Sequence, residues 1–115
     1  MTVHAGQELS AICQTIEQTI SADQIYLFGS HAYGTPNADS DYDLCVVIPD
    51  GSMRPADAIK RIRRALFPVQ TTPLDVIVYQ ASAFQDRQKS ASLERQIAQE
   101  GVLLYERSDP RQRVV

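Results

Sequence analysis

Three short apolar runs constrain this chain more than any other feature. Ile25-Tyr26-Leu27-Phe28, Leu44-Cys45-Val46-Val47-Ile48 and Leu74-Asp75-Val76-Ile77-Val78-Tyr79 are rich in β-branched and aromatic side chains. Their length suits buried strands and falls short of a stable helix. Each is bounded by residues that interrupt regular structure. Gly29 stops the first, Pro49-Asp50-Gly51-Ser52 closes the second, and Pro73 precedes the third at a position where a missing N–H is tolerated.

Helical patterns lie between these runs. From Gln7 to Ile20, Leu9, Ile12, Cys13, Ile16 and Ile20 recur at spacings of three and four, which is one face of an amphipathic helix. Ser30 to Tyr33 suits one helical turn, and Gly34-Thr35-Pro36-Asn37-Ala38-Asp39 reads as a loop. Pro55 fits the first turn of a helix ended by Pro68. Its inner face carries Ala58, Ile59, Ile62, Ala65 and Leu66, and its outer face carries Lys60, Arg61, Arg63 and Arg64. Phe84, Leu93 and Ile97 mark one or more helices between Ser82 and Glu100, with Gly101 as a stop. Val102-Leu103-Leu104-Tyr105 is a candidate edge strand. The alternation predicts an α/β fold, a mixed and mainly three-stranded sheet flanked by helices.

A length of 115 residues with 43% hydrophobic and 22% charged residues fits one domain with a modest core. Residues 1–107 are expected to form it, with 108–115 as a polar tail. No apolar run approaches the roughly 20 residues that span a bilayer, and no basic stretch leads into an apolar one at the N-terminus. A cytoplasmic location is therefore expected. The net charge of −3 removes the overall attraction to phosphate backbones that nucleic-acid binding draws on, so direct nucleic-acid binding is disfavoured. Cys13 and Cys45 fall within apolar patterns, without zinc spacing, and read as buried thiols.

The polar residues at the strand ends carry the chemistry. Asp41 and Asp43 stand two apart at the start of the second strand, so period-two geometry sends both carboxylates to one face. Like charges so placed repel and are best stabilised by a cation or shared protons. Hard oxygen ligands favour Mg²⁺, which takes part of its shell from water and substrate phosphates. Asp75 puts a charge inside an apolar strand, where a basic partner or a metal should offset it. If the two strands are neighbours, Asp75 joins Asp41 and Asp43. Gly29-Ser30 ends a strand and opens a helical turn, where free N–H groups favour a phosphate and the serine hydroxyl adds a donor. It is neither a Walker A loop nor a GxGxxG fingerprint.

Leu27-Phe28-Gly29-Ser30-His31-Ala32-Tyr33-Gly34 followed by Ser40-Asp41-Tyr42-Asp43-Leu44 resembles the GSxxxG…SDxDL signature of the DNA polymerase beta-like nucleotidyltransferase superfamily. The short chain is similar to its minimal nucleotidyltransferase (MNT) branch, including MNT antitoxins of HEPN/MNT toxin–antitoxin modules. The resemblance implies nucleotide contacts from Gly29, Ser30 and Ser40. It implies two Mg²⁺ ions held by Asp41 and Asp43, with Asp75 completing the catalytic one and assisting as a base. ATP is then a substrate and a HEPN-type toxin the expected partner, carrying the hydroxyl that receives AMP. His31 stands where the family often has arginine, which leaves its phosphate contact open.

Plainer readings stand beside these. Ser30 serves equally as an N-cap, Asp41 and Asp43 as solvated turn residues, and Asp75 as an ion-pair partner of Arg61 or Arg64. The basic cluster from Lys60 to Arg64 reads as a solvated helix face or a phosphate or partner surface. Tyr33 either stacks on a base or packs on its neighbours. Neither His4 nor His31 has a second ligand at metal spacing. At the level of function, the alternatives are an antitoxin that neutralises its partner by binding alone and a stand-alone small-molecule adenylyltransferase.

Overall fold

The computed structural model describes residues 3–33 and 41–107. Along the chain it forms α1 (Val3–Thr19), β1 (Gln24–Phe28), α2 (Ser30–Tyr33), β2 (Tyr42–Ile48), α3 (Pro55–Leu66), β3 (Leu74–Gln80), α4 (Ala81–Arg87), α5 (Leu93–Glu100) and β4 (Val102–Glu106). Ser40 and Gly34 to Asp39 lie outside the described residues, as do residues 108–115 and the side chains of His4 and Tyr33.

The sheet has four strands in the order β3-β2-β1-β4. β1 pairs antiparallel with both β2 and β4, whereas β2 and β3 run parallel. The mixed sheet expected from the sequence therefore carries one strand more than its three main runs. The candidate edge strand from Val102 takes the place beside β1. Its end is fastened by the Arg107 N–H donating to the Asp23 carbonyl at 2.7 Å and by Gln24 Nε2 donating to Glu106 at 2.9 Å.

Period-two alternation gives the sheet two different faces. One carries Ile25, Leu27, Leu44, Val46, Ile48, Val76 and Val78, packed against Leu9, Ile12 and Ile16 of α1 and Ala58, Ile62 and Leu66 of α3. This is the larger core, and the apolar stripes read from α1 and α3 supply its cover. α3 begins at Pro55, with Asp57 in its first turn and Arg63 and Arg64 in its last, which suits the helix dipole at both ends.

The other face carries Tyr26, Cys45, Val47, Ile77 and Tyr79 under Phe84 of α4 and Ile97 of α5. Here the pattern of apolar markers needs one correction. Leu93 is 46% exposed and Glu94 is buried at 8%. Ser92 caps α5 by accepting from the Arg95 N–H, which makes Leu93 the first helical residue and turns Glu94 and Ile97 inward. The buried carboxylate is satisfied by the Tyr79 hydroxyl, which donates to it.

Candidate functional site

At one end of the second face the apolar cover runs out. Asp43, Cys45 and Val47 follow one another on this side of β2, and Asp75, Ile77 and Tyr79 do so on β3. Phe84 and Ile97 cover the Val47 and Tyr79 end. Asp43 is left half-buried and Asp75 exposed.

The parallel register pairs Asp43 directly with Asp75. The strand adjacency that the sequence argument required is present. Asp41 precedes β2 and is exposed, two residues from Asp43, and its charge acts on Asp43. Burial, then the charge of Asp75, then that of Asp41 push the Asp43 carboxyl above the usual range, and His31 opposes them. The ionisation of Asp43 is therefore resisted.

Asp75 departs from its expected setting. A charge buried in an apolar strand would need an offsetting partner, but Asp75 sits at the open end of β3, where water solvates it. Among the described residues it makes no ion pair. Pairing with Arg61 or Arg64 is ruled out by the sheet itself. α3 packs on the face that carries Val76 and Val78, and alternation points Asp75 away from that face. Arg61, Arg64 and Lys60 instead line a separate cavity of about 500 Å³ with Thr19 and Met53.

β1 brings the glycine to the carboxylates. Phe28 is the cross-strand partner of Asp43, and Gly29 follows with φ of 78°. A β-carbon on Gly29 would overlap Oδ2 of Asp43 and lie 3.0 Å from its Cγ, so only glycine lets the backbone pass this close. The chain then enters α2, whose first turn closes with the Ala32 N–H donating to the Gly29 carbonyl at 3.0 Å. Ser30 is thereby placed at the start of a helical turn beside the acidic pair.

Two features of this neighbourhood were missed in the sequence. The His31 ring packs against Tyr42, with centroids 4.6 Å apart, which places His31 where its charge favours ionised Asp43. The second is Glu8 on α1, whose carboxylate accepts hydrogen bonds from Thr71 and Thr72 just before β3. No local pattern signals a contact between residues this far apart in the chain.

Hard carboxylate oxygens facing one another, with one member resisting ionisation, form a donor set that suits a divalent cation. Among the described residues no three His, Cys, Asp or Glu side chains converge closely enough to grip a metal ion unaided. The fit is thus to an open site whose remaining ligands come from elsewhere.

A family model described as polymerase beta, nucleotidyltransferase matches residues 10–110. The chain belongs to this nucleotidyltransferase family. A solved structure of a candidate nucleotidyltransferase from Sulfolobus solfataricus superposes on this family member with a TM-score of 0.63 at 21% identity, covering 88% of this chain and 79% of that one. A toxin–antitoxin structure with AMP-PNP gives a TM-score of 0.55 at 24% identity, covering 85% of this chain and 73% of that one. A toxin–antitoxin structure of MntA-HpeT, in a variant with two aspartates replaced by glutamates, gives 0.55 at 23% identity, covering 87% and 73%. At these identities the likeness is one of fold. No curated protein matches the chain, and no helix among the described residues is long and apolar enough to cross a membrane.

Proposed function

We propose that this nucleotidyltransferase family member transfers AMP from ATP to a hydroxyl of a partner protein and acts as the antitoxin to a HEPN toxin. The observation that carries the reading is the direct pairing of Asp43 with Asp75 beside the backbone of Gly29. Two of the fold neighbours are toxin–antitoxin structures, one of them with AMP-PNP, and they give the reading its choice of nucleotide and partner.

In the transfer, the acceptor oxygen bonds to the α-phosphorus of ATP as the bond to pyrophosphate breaks. Asp41, Asp43 and Asp75 would hold two Mg²⁺ ions, which when bound lower the pKa of the attacking hydroxyl and neutralise charge on the departing pyrophosphate. Asp75, exposed at the strand end, would take the proton that the hydroxyl releases. Gly29 lets a phosphate approach the backbone, and the N–H groups and hydroxyl at Ser30 orient it. Ser40 is assigned a further nucleotide contact by its place in the signature.

Intact-mass measurement after incubation with the protein encoded next to it, Mg²⁺ and ATP tests this reading. One or more AMP masses should appear on the partner. Unchanged mass with both proteins folded would sink it. A second reading, neutralisation by binding alone, draws on the absence of a closed cage of three donors among the described residues. Asp41→Ala combined with Asp43→Ala separates the two, since full neutralisation by that variant makes catalysis dispensable.

A further inference from the structure

The entrance to β3 is tied down from the first helix. Glu8 Oε2 accepts from the Thr71 N–H at 2.7 Å, the Thr71 hydroxyl at 2.8 Å and the Thr72 N–H at 2.9 Å, while Oε1 accepts from the Thr72 hydroxyl at 2.8 Å. Hydrogen bonds to a carboxylate are among the stronger ones in proteins. Burial pushes the Glu8 carboxyl up, but the bonds from Thr71 and Thr72 together outweigh it and hold the group at about 2. Glu8 is an anion at any pH near neutral.

Pro73 comes next, and its carbonyl accepts from the Tyr42 N–H at 3.0 Å. The following rungs of the ladder are Tyr42 with Leu74 and Asp43 with Asp75. β3 is an edge strand, paired to β2 alone, and Asp75 at its start is exposed. Ahead of the ladder with β2, its entrance is anchored by the Tyr42 to Pro73 bond, by Gln70 Nε2 donating to the Thr72 carbonyl at 3.4 Å, and from α1 by Glu8. Register matters here more than at most positions, because a slip of one residue turns a side chain to the opposite face of the sheet. Asp75 would then face α3.

We propose that Glu8 is a positioning residue for the acidic site, pinning Thr71 and Thr72 so that β3 begins in the register that sets Asp75 opposite Asp43. The inference rests on the role proposed above for Asp75.

The test compares the full-length wild type with Glu8→Gln, Asp75→Asn and the double variant. Glu8→Gln keeps the side chain's size but removes the charge and one of the two acceptor oxygens, leaving a single neutral carbonyl oxygen for the Thr71 and Thr72 N–H groups. Three quantities are read: hydrogen exchange at the Thr71 and Thr72 amides, Mn²⁺ affinity in the presence of AMP-PNP, and the kinetics of AMP transfer. In Glu8→Gln the two amides should exchange faster. Mn²⁺ affinity and kcat should each fall about tenfold or more, as expected when a reacting group is misplaced by a fraction of an ångström to an ångström. KM for ATP should move less than about twofold, because the Gly29-Ser30 turn is untouched. Asp75→Asn should cost less in the Glu8→Gln background than in the wild type, the signature of two residues acting as a unit.

Wild-type Mn²⁺ affinity in Glu8→Gln, or strictly additive losses in the double variant, overturns the proposal. If the wild type binds Mn²⁺ but transfers no AMP, the transfer reading fails and the exchange and Mn²⁺ data still decide the role of Glu8. If the wild type binds no Mn²⁺, both readings fall. Should Glu8→Gln not fold, Thr72→Val removes one hydroxyl donor at nearly constant shape. Its Mn²⁺ affinity should fall in the same direction by a smaller factor, and an unchanged affinity overturns the proposal.

Discussion

The Asp43 carboxylate fills the space that a side chain on Gly29 would need: a β-carbon on the glycine would overlap Oδ2 of the carboxylate and lie 3.0 Å from its Cγ. The glycine is also left-handed, with φ of 78°. Gly51 shares that backbone conformation, with φ of 77°, but a β-carbon there meets nothing within 4 Å. The pair separates backbone strain from steric conflict. Gly51→Ala should cost about 1–2 kcal/mol, the penalty of a side chain in the left-handed region. Gly29→Ala should add about 1–3 kcal/mol of overpacking and should also abolish Mn²⁺ binding. Urea denaturation and Mn²⁺ titration of both variants check this, and equal losses would show that Asp43 simply moves aside.

The acidic cluster works against the stability of the metal-free protein. Burial and the charges of Asp75 and Asp41 raise the Asp43 carboxyl above its usual value of 3.8. A carboxyl raised in the folded state favours folding below the unfolded value, and that contribution is lost as pH rises through the folded one. At neutral pH Asp43 is therefore a cost. Asp43→Asn should raise the Tm measured in EDTA at pH 7 by about 2–5 °C, a gain of under about 1 kcal/mol for a domain of this size. The gain should shrink at pH 3, and millimolar Mg²⁺ should raise the Tm of the wild type but not of the variant. A lower Tm for Asp43→Asn in EDTA at pH 7 would show that the cluster does not strain the fold.

Much of this site was legible because its parts lie on local patterns. The spacing of Asp41 and Asp43, the turn at Gly29-Ser30 and the strand around Asp75 follow from side-chain alternation and from residues that break it. Direct pairing of Asp43 with Asp75 was a conditional, since strand order and register arise from long-range contacts that periodicity does not encode. The same limit hid Glu8, whose partners lie more than sixty residues away. Glu94 was hidden for another reason. Its burial depends on a hydroxyl from β3, which no pattern within α5 signals, while Leu93 beside it looked like the natural core residue. The pairing of Asp75 with Arg61 or Arg64, reasonable by charge alone, was undone by the sheet standing between them.

The two thiols should be inert. Burial pushes Cys13 up to about 11 with help from the charge of Glu17, and pushes Cys45 up to about 12 with help from Glu94. Thiolate is the reactive form, so at pH 8 almost none is present. The cysteines also belong to cores on opposite faces of the sheet, Cys13 among the α1 residues and Cys45 beside Phe84, and cannot reach one another. Native protein at pH 8 should react with a disulfide reagent such as DTNB only at the rate of unfolding. Two thiols should then be released in denaturant. Fast labelling of either cysteine in the native state would contradict the buried assignment.

Tyr79 and Glu94 form a polar pair inside the second core. The Tyr79 hydroxyl donates to the Glu94 carboxylate, Phe84 packs on the tyrosine ring with centroids 5.5 Å apart, and Arg87 lies 5.4 Å from the ring centre. The hydrogen bond from Tyr79 lowers the Glu94 carboxyl against the opposing effect of burial. Burial, the bond to Glu94 and its charge push Tyr79 up to about 12. A carboxyl lowered on folding supplies stability above its unfolded pKa and loses it as pH falls through the folded value. Tyr79→Phe removes the largest of the effects that lower the carboxyl, so the group rises and the stability it supplies shrinks. The variant should lose about 1–3 kcal/mol at pH 7, the cost of a buried acceptor left without its partner. Part of that loss should be recovered near pH 4, where Glu94 can take up a proton. Adding Glu94→Leu to Tyr79→Phe should restore stability at pH 7, because removing both polar partners from an apolar site leaves nothing unsatisfied. Urea denaturation of the single and double variants at the two pH values reads all three outcomes. A Tyr79→Phe protein as stable as the wild type at pH 7 would mean that water replaces the lost hydroxyl at Glu94.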